Sequence, residues 1–482
     1  MDPKRLSDRS LIRLASTVSL GGFVFGYDAV VISGAIEPVA QRFSLNAWHE
    51  GLLVAVPTLT AIAGTLLGGL AFSSLVLGPL YVSETAAARH RGQMVSMNQI
   101  AIVLGLSVAY FSNLAVTSFS HHSADGTLTL FGVQSWRWMF GIELIPATLW
   151  FLLLIPIPEA PRWLLSKGRS AEARTLLERL HGETHARAFF ERLKPELQAE
   201  KAEKTTLLPM LRSRVFALTF LIAAIVAVAQ QITGVNAIYF YAPTVFHQAG
   251  AGINASLLQA SVIGALNLGF TFVAFFLVDR VGRRPLLLGG LIGIVLSMLI
   301  VGSGFSEARY LIELDALQRL PMHLHATLAP LTGEIFQSDV DFNAALRDLL
   351  SEDEYRQYHN LLLEIAVEIN APLILFGLCL FVASFASSLG PVMWIFLSEV
   401  FPGPVRGIAI AMVAALNSLT SFLVQLAFPV ELEMIGAAAT FWLYAGTAAV
   451  FALLVWRLVP ETKGRHLEDI QSVFEPSRDH RN

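Results

Sequence analysis

A single cysteine, Cys379, occurs in the 482 residues. That excludes an intrachain disulfide and any metal site built from thiolates. Charge is scarce too: Asp, Glu, Lys and Arg make up 15% of the chain against 54% hydrophobic residues, with a net charge of −4. Together with a mean hydropathy of +0.59, this composition belongs to a polytopic membrane protein rather than a soluble enzyme. There is no Walker-type phosphate loop and no Gly-rich dinucleotide fingerprint after a strand. ATP-driven transport within the chain is therefore unsupported, and no cofactor is expected. No nucleophile, base and orienter recur together in or near the apolar runs, which argues against an enzyme. Those runs also lack Lys and Arg, apart from Arg13 at the start of the first and Arg457 at the end of the last.

What the chain has instead is long apolar segments. Spans are expected at about Leu11–Ile36, Val95–Ser118, Trp138–Ile157, Val215–Tyr241, Leu257–Val278, Pro285–Gly302, Pro372–Leu397, Gly407–Phe428 and Ile435–Val459. The first follows a charged N-terminal stretch and reads as a retained helix, too long for a signal core. One run, Gly51–Val82, is anomalous. As one straight helix it would extend about 48 Å at 1.5 Å per residue, against a hydrocarbon core of about 30 Å. It is too long for one upright span and too short for two. In the first span, Gly21, Gly22, Gly26 and Gly34 let neighbouring backbones approach, and Asp28 is an intramembrane acid. Such an acid is a functional candidate or a carboxyl kept protonated.

The most informative stretch is QQITGVNAIYFYAP, from Gln230 to Pro243. Gln230 and Gly234 share a helix face, with Gln231 flanking it and Asn236 close behind. A buried unsatisfied amide costs roughly 1–3 kcal/mol, so these groups face neighbouring helices or a watered cavity. Because amides both donate and accept, they suit a neutral polyhydroxylated ligand better than an ion. Gluing helices together is the alternative use.

Basic residues in the connections set the orientation. Arg89, Arg91, Arg162, Lys167, Arg169, Arg280, Arg283, Arg284 and Arg406 fall on one side with both termini, while Thr117–Ser135 on the other has none. Both termini are expected in the cytoplasm and residues 303–370 outside. That outer segment is acidic and helical near its end, where Ser351 and Glu354 form a capping-box pattern. His323 and His325 within it read as a solvated pair, and no metal is expected.

Taken in order, FGYD (Phe25–Asp28), YVSE with RG (Tyr81–Gly92), Asn98-Gln99, WRWM from Trp136, PEAPRWLL from Pro158, QQITGVN, DRVGRR from Asp279, GPVMWIFLSEVFP from Gly390 and PETKG from Pro460 resemble the signatures of the sugar porter family of the major facilitator superfamily. The resemblance implies an all-α fold of two helical bundles around a midplane site. It divides the chain into a reduced N-terminal bundle (1–157), a cytoplasmic helical linker (158–214), a C-terminal bundle (215–302 and 371–459) interrupted by the outer insertion (303–370), and a tail (460–482). Substrate contacts carried over from the family fall on Gln99, Gln230, Gln231, Asn236, Asn267, Trp394 and Asn417. Glu84, Arg91, Asp279, Arg283, Arg284, Glu399 and Arg406 resemble the inner-gate charge network, and Asp28 the proton-coupling acid.

Three departures qualify the resemblance. The stretch GTLLGGLAF runs almost directly into SSLVLGPLYVSE, so about two helices' worth of sequence is absent, leaving about ten spans instead of twelve. The arginine that would stand beside Asp28 is lost with them. Phe240, Ser418 and Ser421 replace residues common in the family pocket. The function implied is plasma-membrane transport of a monosaccharide by alternating access, with proton symport as the leading form. The partners are the sugar, the proton and the lipid bilayer, and no nucleic acid. An uncoupled facilitator, and a non-transporting sensor or deletion-damaged chain, are the alternatives.

Overall fold

The computed structural model describes residues 8–68, 81, 91–123, 127–181, 187, 190, 213–401 and 403–463. The first half comprises α1 (Asp8–Phe43), α2 (Ala47–Gly68), α3 (Arg91–Phe119), α4 (Ser135–Ile142) and α5 (Leu144–Leu154). Two short helices, α6 (Pro161–Ser166) and α7 (Ser170–His181), begin the linker. The second half holds α8 (Arg214–Ile232), α9 (Val235–Gln248), α10 (Ile253–Val281) and α11 (Arg283–Ser306) before the insertion, and α15 (Ala371–Ala386), α16 (Leu389–Val400) and α17 (Gly403–Leu458) after it.

Among the described residues, eight helical stretches are long and apolar enough to cross a membrane. The last of them contains two helices, because α17 turns at Gly436 with φ 78° and ψ 167°. The α2 helix adds 22 residues, and of the fused run expected from Gly51 to Val82 residues 51–68 and 81 are described and the rest lie outside the described residues. None of the residues of α5 is buried. Its Leu144, Ile145 and Phe151 are 65–69% exposed, an arrangement stable against lipid and costly against water.

Glycine sets the closest helix crossing, as expected for α1. A Cβ on Gly26 would lie 1.9 Å from the Ile102 carbonyl oxygen of α3, and one on Gly105 of α3 would lie 2.0 Å from that of Phe23. The halves meet through α1 with α9, α2 with α17, and α3 with α10. Across these seams Ser107 Oγ donates to the Gly264 carbonyl at 2.8 Å, and the Tyr110 hydroxyl donates to the carbonyl of Tyr239.

The insertion folds into a cap with its own core. Its helices are α12 (Met322–Leu328), α13 (Asp339–Leu349) and α14 (Glu352–Ala366). A small antiparallel sheet orders β2 (Ile335–Phe336), β1 (Arg309–Leu311) and β3 (Val367–Glu368), with Tyr310 opposite Phe336 and Arg309 opposite Glu368. Leu324, Leu328, Phe342, Leu346 and Leu362 are fully buried within it. The Ser351–Glu354 capping box starts α14 as the sequence indicates. Because α11 continues to Ser306, the cap starts four residues later than 303. His323 and His325 diverge: the first lies 3.8 Å from Glu354, and the second meets the Leu320 carbonyl at 3.0 Å. Burial, reinforced by the Arg347 charge, pushes the His359 imidazole down to about 4. It is therefore neutral at ordinary pH and pairs with Asn343 at 2.9 Å.

Candidate functional site

Two second-half spans are broken where their polar residues sit. The first break separates α8 from α9 at Thr233 and Gly234, with Gly234 at φ 88°. A left-handed backbone favours glycine, and a Cβ here would also lie 3.0 Å from the Tyr444 ring. The second separates α15 from α16 at Ser387 and Ser388. Unwound backbone at membrane depth is tolerated where it is covered by protein or lines a cavity.

The amides gather around these breaks. Gln230, 5% exposed, donates from Nε2 to the Leu389 and Gly390 carbonyls at 3.1 Å each. Gln231 Nε2 donates to Gln230 Oε1 at 3.2 Å and to Asn417 Oδ1 at 3.0 Å. Asn417 Nδ2 in turn donates to Gln230 Oε1 at 3.0 Å and to the Ala227 carbonyl at 2.8 Å. Asn236 Nδ2 donates to Gln231 Oε1 at 2.6 Å and to Ser421 Oγ.

Four of the seven proposed substrate contacts thus form one hydrogen-bonded cluster. Trp394 stands on α16 with 38% of its surface exposed, leaving its ring open to contact. Asn267 is buried on α10, and Gln99 is half-buried on α3; no described hydrogen bond joins either to the cluster. The cluster continues through residues given no role from sequence. Gln425 is fully buried, donating from Nε2 to Ser421 Oγ at 2.7 Å and accepting at Oε1 from Thr58 Oγ1 at 3.1 Å. Thr58 belongs to α2, so the polar chain crosses from one half to the other. The missed signal is a spacing of four: Asn417, Ser421 and Gln425 share one helix face. Ser421, met as a departure from the family pocket, is the middle of that ladder.

Asp28 has a partner that sequence reading left out. Its carboxyl hydrogen-bonds that of Glu143, at the junction of α4 and α5. Two carboxyls can hydrogen-bond to one another only where one of them carries a proton.

At the opposite end from the cap, Arg283 meets Glu399 at 2.6 Å, and Thr462 Oγ1 donates to the same carboxylate at 2.7 Å. Glu461 accepts from the backbone N–H groups of Arg283 and Arg284 at 3.0 and 3.1 Å, an anion capping the N-terminus of α11. Arg284 donates to the Trp456 carbonyl, and Arg406 Nε to the Phe401 carbonyl at 3.1 Å. Of the residues expected in the charge network, Arg283 and Glu399 pair directly, Arg284 and Arg406 bond backbone carbonyls instead, and PETKG adds Glu461 and Thr462, which the sequence reading did not assign. Glu84 and the side chains of Arg91 and Asp279 lie outside the described residues.

The sequence pattern of the family described as "Sugar (and other) transporter" matches residues 62–311 and 360–474. The chain belongs to this sugar transporter family. Residues 312–359, which the family pattern passes over, lie in the cap. The D-xylose-proton symporter of Escherichia coli (strain K12) is 28% identical over 543 aligned positions, covering 97% of this chain and 96% of the relative. Inositol transporter 4 of Arabidopsis thaliana is 29% identical over 553, covering 96% and 92%. An inward-open structure of the xylose transporter XylE from E. coli superposes with a TM-score of 0.70 at 25% identity, covering 96% of this chain and all of that one. The 543 positions exceed the 482 residues of this sugar transporter by 61, so at least that many are gaps in it.

Proposed function

We propose that this chain carries a monosaccharide across the plasma (inner) membrane by alternating access, coupled to protons, with both termini cytoplasmic and the cap outside. The observation that carries the proposal is the amide cluster at the two helix breaks. Gln230, Gln231, Asn236 and Asn417 present donors and acceptors together, with an open indole at Trp394. Sugar hydroxyls exchange hydrogen bonds with such a set, while the indole face covers carbon-bound hydrogens. The activities of the relatives, D-xylose–proton symport and inositol transport, support a polyol-sized substrate of this kind.

Coupling rests on the Asp28–Glu143 pair, two carboxyls that hydrogen-bond by sharing a proton. The short run from Gly51 to Val82 supports the reading that about two helices' worth of the first half is absent, taking the expected arginine with it. The lack of that arginine favours the second reading, an uncoupled facilitator. The Arg283–Glu399 pair belongs to the inner gate in either case. The proposal is tested by titrating purified protein with xylose, glucose, arabinose and inositol, following tryptophan fluorescence. Saturable quenching by at least one is expected. A flat response to all four rejects the amide cluster as a sugar site.

A further inference from the structure

We infer that the cap is a clamp: carried by the second half, it grips α1 of the first half and holds the transporter shut at the cap end. The cap is tied covalently to the second half, since it joins α11 to α15. It is also bonded there. Arg347 pairs with Glu433 at 2.6 Å, and Asp339 Oδ2 accepts from the Ala437 backbone N–H at 2.9 Å, just after the turn at Gly436. Burial raises the Asp339 carboxyl, and the Ala437 and Val340 backbone N–H groups oppose that rise.

On the other side the cap reaches α1. Asn360 Nδ2 donates to Glu37 Oε1, and Arg356 Nη1 donates to the Ser44 carbonyl at 3.3 Å. Glu37 is also 3.5 Å from His247 at the end of α9, so one α1 carboxylate meets both the cap and the second half. The cap can transmit position because it is a packed body, with Phe342, Leu346 and Leu362 fully buried.

Opening the site toward the cap end means moving α1 and α2 away from α9 and α17. The anchors at Glu433 and Ala437 travel with the cap, whereas Asn360–Glu37 and Arg356–Ser44 must break. The family pattern passes over residues 312–359, which include Arg356, and resumes at Asn360, so the clamp sits where the added body of the cap rejoins the transport fold. Its effect is to bias the balance of states toward the one closed at the cap end.

The test uses the full chain in nanodiscs, with Cys379→Ser and nitroxides at Trp48 on α2 and Leu258 on α10, measuring pulsed electron–electron distances. Asn360→Asp with Arg356→Ala is expected to raise the ratio of long to short distances at least tenfold, equivalent to about 1.4 kcal/mol. Asn360→Asp alone is isosteric, removes the amide donor and sets a second carboxyl against Glu37; it moves the ratio the same way. Arg347→Ala leaves the ratio within twofold, because the covalent connections still carry the cap. An unchanged ratio in the Asn360 variants, or an equal shift in Arg347→Ala, overturns the clamp. The inference rests on the alternating-access reading: a wild type with one distance under every sugar and pH condition sinks that reading. Two wild-type distances whose ratio ignores the Asn360 changes sink the clamp alone.

Discussion

Replacing Gln231 with alanine is expected to weaken sugar binding about 30- to 100-fold, corresponding to roughly 2–3 kcal/mol. Gln231 is the hub of the amide cluster, donating to Gln230 and Asn417 and accepting from Asn236. Alanine removes its own contact with the ligand and also the partner that orients three other amides. A buried polar group left without a partner costs about 1–3 kcal/mol, and part of that cost falls on the bound state, where the site must meet hydroxyls in fixed directions. Isothermal titration with whichever sugar binds the wild type is the measurement. An affinity within twofold of wild type would place the substrate elsewhere. Gln425→Leu should weaken binding less, since Gln425 reaches the cluster only through Ser421.

Asp28→Asn is expected to abolish accumulation against a gradient while leaving sugar exchange across the membrane intact. The pair with Glu143 binds one proton between two carboxyls, and an amide cannot release or take up that proton. Glu143→Gln should give the same phenotype. The double variant should be no worse than either single one, because two groups acting as one site are non-additive. Counterflow and gradient-driven uptake in proteoliposomes separate the two activities. Accumulation that survives in Asp28→Asn would remove this pair from the coupling mechanism.

Much of the architecture was legible because lipid leaves few options: long apolar runs must be helices, and positive charge and glycine mark their ends and crossings. The amide stretch at Gln230 was readable for the same reason, since polar groups are conspicuous in hydrocarbon. Three features were not. Glu143 lies inside the span expected at Trp138–Ile157 and was given no role, and only the packing of α1 against α4 and α5 brings it to Asp28. Gln425, joined to the site through Ser421, carries it on to Thr58, 367 positions away in sequence. The cap's hold on α1 depends on Asn360 and Glu37, two ordinary surface residue types whose meeting is set by tertiary structure alone. The break at Gly234 was visible as a glycine, but its left-handed φ and the Tyr444 ring behind it were not.

We propose that a chain with a shortened first half still moves a sugar by coupling it to protons. The most direct measurement is uptake of radiolabelled xylose, or whichever monosaccharide binds, into proteoliposomes with and without an inward proton gradient. One unit of pH is worth about 1.4 kcal/mol, so one proton per sugar supports up to about tenfold accumulation. The expected result is accumulation several-fold above equilibrium with the gradient, collapsing to equilibration when a protonophore is added. Equilibration at the same level with and without the gradient would contradict the account and make the chain a facilitator.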